Sequence, residues 1–160
     1  MEKTNVMRLL EQKKIAYTPH CYADTGALSG VEVASVLGQN PETVFKTLVT
    51  YGSKSKGYFV FVIPVAEELD LKKAAKSVGE KAIEMLPQKQ LLPLTGYIHG
   101  GCSPIGMKKQ FVTTFHETAA RYEHIFFSAG KVGYQVEVHL EDISKLIRYS
   151  LADLVVEREG

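Results

Sequence analysis

The sequence predicts one mixed α+β domain, and three observations predict it. At 160 residues the chain suits a single hydrophobic core that buries roughly two-thirds of the surface exposed when unfolded. Short β-branched and aromatic runs recur along it, interleaved with helical patterns, but without the regular strand–helix–strand spacing of a doubly wound sheet. No internal repeat, low-complexity run or Pro/Gly/Ser linker divides it, so residues 1–160 read as one domain.

The elements follow in order. Val6, Leu9 and Leu10 fall at helical spacing and predict an N-terminal helix ending near Lys13-Lys14, with a strand from Ile15 to Tyr22. Ser29-Gly30-Val31-Glu32 matches the capping box S-x-x-E, so a helix runs from Val31 to Leu37 and closes at Gly38. Asn40-Pro41 opens a turn. Val44 to Tyr51 and Tyr58 to Ile63 have strand composition and form a hairpin across the loop from Gly52 to Gly57. Asp70 caps a helix that runs through Lys76, Lys81 to Met85 is a short strand, and Pro87 starts a helical turn. Further strands are expected at Thr95 to His99, Phe111 to Phe115, Ile125 to Ser128 and Tyr134 to Val138. Helices are expected at Leu140 to Ile147 and Leu151 to Val155.

Composition narrows the function. The chain is 45% hydrophobic and 23% charged, which is ordinary for a globular protein and unlike a disordered one. Its start lacks an apolar segment behind a basic one, and no apolar stretch approaches the ~18 residues of a membrane span, so a cytoplasmic protein is expected. A formal charge of +1 is too small for non-specific duplex binding, which leaves only local lysine patches at Lys72-Lys73, Lys76, Lys81 and Lys108-Lys109 for nucleic acid. Cys21 and Cys102 lie far apart without CxxC spacing and read as free thiols, and the five histidines show no metal-binding spacing. No cofactor is expected.

Two segments stand out chemically. Within Val44-Phe45-Lys46-Thr47-Leu48-Val49 the strand period of two places Lys46 on the face of Val44 and Leu48, so an ammonium emerges from an apolar stripe. This suits either a snorkelling edge lysine or a fixed cation for a phosphate or a developing oxyanion. The run Thr95-Gly96-Tyr97-Ile98-His99-Gly100-Gly101-Cys102-Ser103-Pro104-Ile105-Gly106 carries more glycine than one turn needs, and glycine lets backbone N–H groups approach a ligand. Ser128-Ala129-Gly130-Lys131-Val132-Gly133 reads as a hairpin connection and lacks P-loop spacing. Cys102 beside a histidine would suggest a thiol hydrolase, but the sequence pairs it with none of them.

With Phe45-Lys46-Thr47-Leu48, Gly96-Tyr97 and Gly100-Gly101-x-Ser103-Pro104-x-Gly106, and Ser128-x-Gly130-Lys131-x-Gly133 in this order, the chain resembles the YbaK-type Cys-tRNA(Pro) deacylases. That family shares its fold with the insertion editing domain of bacterial prolyl-tRNA synthetases. The resemblance spans essentially the whole chain, including Leu69-Asp70-Leu71-Lys72-Lys73. It implies a mixed, barrel-like central sheet flanked by helices, acting on the 3′ end of an aminoacyl-tRNA in a transient complex with prolyl-tRNA synthetase.

By the same resemblance the family lysine falls on Lys46, which positions the aminoacylated end. The substrate contacts fall on Tyr22, Ser29, Thr47, Gly100, Gly101, Ser103, Ser128, Gly130 and Gln135. Family chemistry is substrate-assisted: the cysteinyl thiol attacks its own carbonyl and releases tRNA and a cyclic thiolactone. Two departures bear on specificity, because Ser29 stands near a family phenylalanine and Gln135 at a family aspartate. A preference for alanine or another small residue, and a non-catalytic tRNA- or synthetase-binding module, are the alternatives.

Overall fold

The computed structural model describes residues 1–158. Helix α1 (Asn5–Gln12) begins where the Thr4 hydroxyl accepts the Met7 N–H, and it buries Val6, Met7 and Leu10. Strand β1 (Thr18–Cys21) follows, then α2 (Gly30–Val36), β2 (Phe45–Gly52), β3 (Tyr58–Pro64), α3 (Leu71–Val78), β4 (Ile83–Met85) and α4 (Gln88–Thr95). The chain ends with β5 (Val112–His116), β6 (Ile125–Ser128), β7 (Tyr134–Val138) and β8 (Tyr149–Ala152). Single helical turns at Ala23–Thr25, Pro41–Thr43, Glu117–Arg121 and Leu140–Lys145 join them.

The strands form two sheets. Five lie in the order β4-β2-β3-β5-β8 and three in the order β1-β7-β6. The β2–β3 hairpin is antiparallel, with Lys46 opposite Ile63, whereas β3–β5 and β5–β8 are parallel. One parallel bridge, Val44 to Phe126, joins the sheets, and neither closes on itself; the expected barrel-like sheet is an open pair. The mixed α+β class stands.

Strand β3 lies at the centre. Val60 and Val62 enter the main core with Phe115, Phe127, Val136 and α1, while Phe59, Phe61 and Ile63 enter a second core beneath α3 with Ala74, Ala75 and Leu154. Alternation that is apolar on both faces is what a strand covered on both sides requires. Burying each such side chain contributes about 1.5–3 kcal/mol, which anchors β2 and therefore Lys46.

Two expected elements are corrected. Thr95 to His99 is not a strand: α4 runs to Thr95 despite Pro93 within it, and Gly96 closes it at φ 87°. Leu91 and Leu94 pack this helix on the core, which outweighs the β-branched and aromatic residues after it. Leu151 to Val155 is not a helix. Its first residues belong to β8, paired with β5, and Val155 bridges Leu69. The first strand is also shorter than expected, since it starts at Thr18, and only the turn Leu140–Lys145 fills the expected helix 140–147.

A candidate active site at the junction of the sheets

A cavity of about 400 Å³ opens where the two sheets meet, a size typical of small-ligand sites. Strand β2 supplies Phe45, Lys46, Thr47 and Leu48 to its wall. The start of α2 supplies Ser29 and Gly30, the glycine loop His99, Gly100 and Cys102, and the three-stranded sheet Ser128 and Gln135, with Tyr22 beyond β1. Of the expected site residues, Tyr22, Ser29, Lys46, Thr47, Gly100, Ser128 and Gln135 therefore share one cavity. Gly101, Ser103 and Gly130 are outside its lining.

Those three residues hold the wall from behind. The Gly101 N–H donates to the Ile98 carbonyl at 3.0 Å, and a Cβ there would come within 3.1 Å of the Val132 backbone nitrogen. Ser103 is fully buried, and its Oγ accepts the Ile105 N–H. At Gly130, φ is 89° and a Cβ would meet the Tyr97 ring at 2.9 Å. Tyr97 donates its hydroxyl to the Ile105 carbonyl, so one ring clamps the glycine loop to the β6–β7 connection. In contrast, the N–H groups of Gly100 and Cys102 make no hydrogen bond among the described residues. Of the loop residues that line the cavity, His99 likewise makes no N–H hydrogen bond among the described residues, so these three amides remain for a ligand oxygen.

Among the described residues, Lys46 is the only lysine or arginine lining the cavity. Burial pulls its pKa below the ordinary lysine range, partly opposed by the charges of Glu68 and Glu67, and its Nζ forms no hydrogen bond or ion pair among the described residues. The neighbouring Thr47 Oγ1 is buried without a partner. The half-buried ammonium at the cavity, without a partner among the described residues, is the group open to a ligand.

No activated nucleophile accompanies them. Burial pushes the Cys102 thiol up to about 12, so it is neutral near pH 7. The Ser128 hydroxyl accepts the Gly130 N–H at 3.0 Å. Ser29 caps α2: its Oγ accepts the Glu32 N–H at 3.2 Å and its own N–H donates to the Glu32 carboxylate, forming the complete capping box. Among the described residues, no group of three or more His, Cys, Asp or Glu is arranged to hold a metal ion.

Sequence reading missed several wall residues. His99 and Tyr134 adjoin the glycines that attracted attention, and adjacency was the available signal for them. Leu28, Val31 and Leu91 carried none. No helix among the described residues is long and apolar enough to cross a membrane.

Comparison with known proteins bears on the family and the fold. A family profile described as an aminoacyl-tRNA editing domain matches residues 26–146. A protein of Enterococcus faecalis, EbsC, described as a candidate Cys-tRNA(Pro)/Cys-tRNA(Cys) deacylase, is 48% identical over 157 residues, covering 98% of this chain and 95% of its own. Among solved structures, a candidate trans-editing enzyme for prolyl-tRNA synthetase superposes with a TM-score of 0.81 at 22% identity, covering 95% of both chains. The hypothetical protein APE2540 gives a TM-score of 0.85 at 18% identity, covering 97% of this chain and all of that one. At those identities the two structures speak for the fold alone.

Proposed function

From the premise that this chain belongs to the aminoacyl-tRNA editing-domain family, we propose that it is a one-domain, cytoplasmic trans-editing enzyme that cleaves the ester of mischarged Cys-tRNA(Pro). The observation that carries this reading is a half-buried Lys46, unpaired among the described residues, that shares with unbonded loop amides a cavity whose own thiol is neutral. Such a site binds and polarises a substrate but brings no nucleophile to it.

Lys46 holds the aminoacylated 3′ end through its negative oxygens, a role for which an unpaired ammonium is suited. The Gly100 and Cys102 amides face the ester carbonyl and stabilise the charge that develops on its oxygen. The substrate supplies the attacking group: its thiol sulfur bonds to its own carbonyl carbon, the ester C–O bond breaks, and the thiol proton passes to the departing ribose oxygen. A cyclic thioester and free tRNA(Pro) result, with no water consumed. Cysteine is close to proline in size, and a pocket that selects by shape rejects it poorly, so a separate editing check is needed.

A second reading, preference for the alanyl ester, is favoured by the neutral Gln135 and the small Ser29 on the cavity wall. Alanine carries no thiol, so that reaction would require water. With a net charge of +1 the protein grips tRNA weakly, and prolyl-tRNA synthetase in a transient complex supplies the tRNA selectivity. Crosslinking the two proteins in the presence of tRNA tests that partnership.

The deciding experiment follows Cys-tRNA(Pro) and Ala-tRNA(Pro) side by side with the intact protein and Lys46→Ala, with mass spectrometry of the released amino-acid product. Loss of the cysteinyl ester as thiolactone, abolished in the variant, is the expected result. Faster loss of the alanyl ester moves the substrate, and no loss of either, even with the synthetase present, ends the catalytic reading.

A further inference from the structure

Gln39 is not part of the cavity lining, yet it fixes one of the walls. Beyond α2, Gly38 adopts φ 66°, the Gly38 N–H returns to the Ser35 carbonyl, and the Gln39 N–H returns to the Ala34 carbonyl at 2.9 Å. This closure turns the chain back and anchors Gln39 at the helix end. The side chain then reaches β7. Its Nε2 donates to Oε1 of Gln135 at 2.8 Å, and Nε2 of Gln135 donates to Oε1 of Gln39 at 3.1 Å. Gln135 is 3% exposed, lines the cavity, and lies directly opposite Ser128, another lining residue, in the β6–β7 register.

A buried amide held by one bond can turn over about its last torsion, exchanging donor for acceptor at the cavity surface. A reciprocal pair opposes this, because turning either amide alone sets N–H against N–H and oxygen against oxygen, and only a joint turn of both keeps the two bonds. We propose that Gln39 is a positioning residue for substrate discrimination: joined to Gln135 by two bonds, it holds a neutral amide in place against the aminoacyl group. The inference rests on the cavity being the aminoacyl-ester site. It also accounts for the neutral residue at position 135. A carboxylate there would keep only one of the two bonds, whereas glutamine with glutamine completes both.

The consequence is a wall amide that is held in place, paired and uncharged, before the substrate arrives. A site committed to a particular hydrogen-bonding pattern discriminates against groups that cannot match it far better than an adaptable one does. A thiol and a methyl group differ in that respect.

The test measures deacylation of cysteinyl- and alanyl-tRNA between pH 4 and pH 8, a range that spans the ordinary glutamate pKa of about 4.3, for the wild type, Gln39→Ala and Gln39→Glu, with thermal unfolding of each. Gln39→Ala lowers kcat/KM for the preferred ester by roughly 3–10-fold, the worth of one ordered hydrogen bond, and narrows the ratio between the two esters. Gln39→Glu supplies the internal rescue. When protonated, its carboxyl donates to Oε1 of Gln135 and accepts from Nε2, which restores the reciprocal pair; when ionised it keeps one bond. Its ester ratio therefore approaches the wild-type value as pH falls and departs from it as pH rises.

The other titratable groups at the cavity, Lys46, His99, Tyr22, Cys102 and Tyr134, together with His20 opposite Gln135 on β1, are common to all three proteins. They cancel when variants are compared at equal pH. Wild-type rates and ratios in both variants, or a Gln39→Glu defect that does not change with pH, overturn the proposal. A wild type that hydrolyses neither ester overturns the functional reading itself.

Discussion

Replacing Ser29 separates a structural hydroxyl from a substrate contact. Ser29 borders the cavity, yet its oxygen already accepts the Glu32 N–H at 3.2 Å. Helix α2 has seven residues, too few to be stable alone, and it depends on this cap and on buried Val33 and Ala34. Ser29→Ala leaves the Glu32 N–H without its acceptor, at a cost of about 1 kcal/mol. In a domain of this size that corresponds to a fall in Tm of about 2–4 °C. Ser29→Asn, an equally good cap without charge, should restore the stability. Thermal unfolding and deacylation are measured on all three proteins. Activity is expected to stay within about threefold of wild type in both variants, because a net hydrogen bond to a substrate would be worth up to about tenfold. A tenfold or greater loss in Ser29→Ala with an unchanged Tm would refute the reasoning and make the hydroxyl a substrate contact.

Three further outcomes follow from the structure. Lys46→Met keeps the apolar stem but removes a charge that burial disfavours, so kcat/KM should fall roughly 10–150-fold, the worth of a charged hydrogen bond, while Tm rises; a parallel fall in both would contradict the assignment. Iodoacetamide at pH 8 should label exposed Cys21 and spare Cys102, and Cys102→Ala should keep its activity, as peptide mass mapping and the deacylation assay will show. His116 is 6% exposed, burial holds its pKa below the ordinary histidine value, and its Nδ1 accepts the Leu154 N–H at 3.1 Å. Its unfolded form binds a proton near pH 6.5 and its folded form only at lower pH, so this part of the stability is present above pH 6.5 and is lost as pH falls below it. His116→Asn should flatten that segment of the Tm–pH curve.

Features governed by near neighbours were legible in the sequence. Both partners of the Ser29–Glu32 capping box lie within four residues, and both hydrogen bonds are present. The β2–β3 hairpin was readable for the same reason. The glycine loop was located, but its work was only half legible: Gly100 faces the cavity, whereas Gly101 abuts the Val132 backbone and Gly130 abuts Tyr97. Strand β8 was misread because its partner is β5, a parallel neighbour across a long connection that no local window contains. The Gln39–Gln135 pair, 96 residues apart, left no sequence signal at all. Local chemistry writes caps and turns; the contacts that finish a site come from topology.

The two-sheet construction also sets the order in which the site comes into being. Its first residues, Tyr22 to Val65, leave the ribosome well before its last, Ser128 to Gln135. At about 5–20 residues per second the interval is on the order of ten seconds. Through most of it, β3 has its hairpin partner β2 but neither β5 along its other edge nor the apolar residues of β6 and β7 that cover it. The nascent chain thus presents an unpaired apolar strand edge, the feature that recruits other chains. An editing protein of this design is most exposed to aggregation during its own synthesis, and a chaperone that shields Tyr58–Pro64 would raise its yield more than one acting on the finished fold.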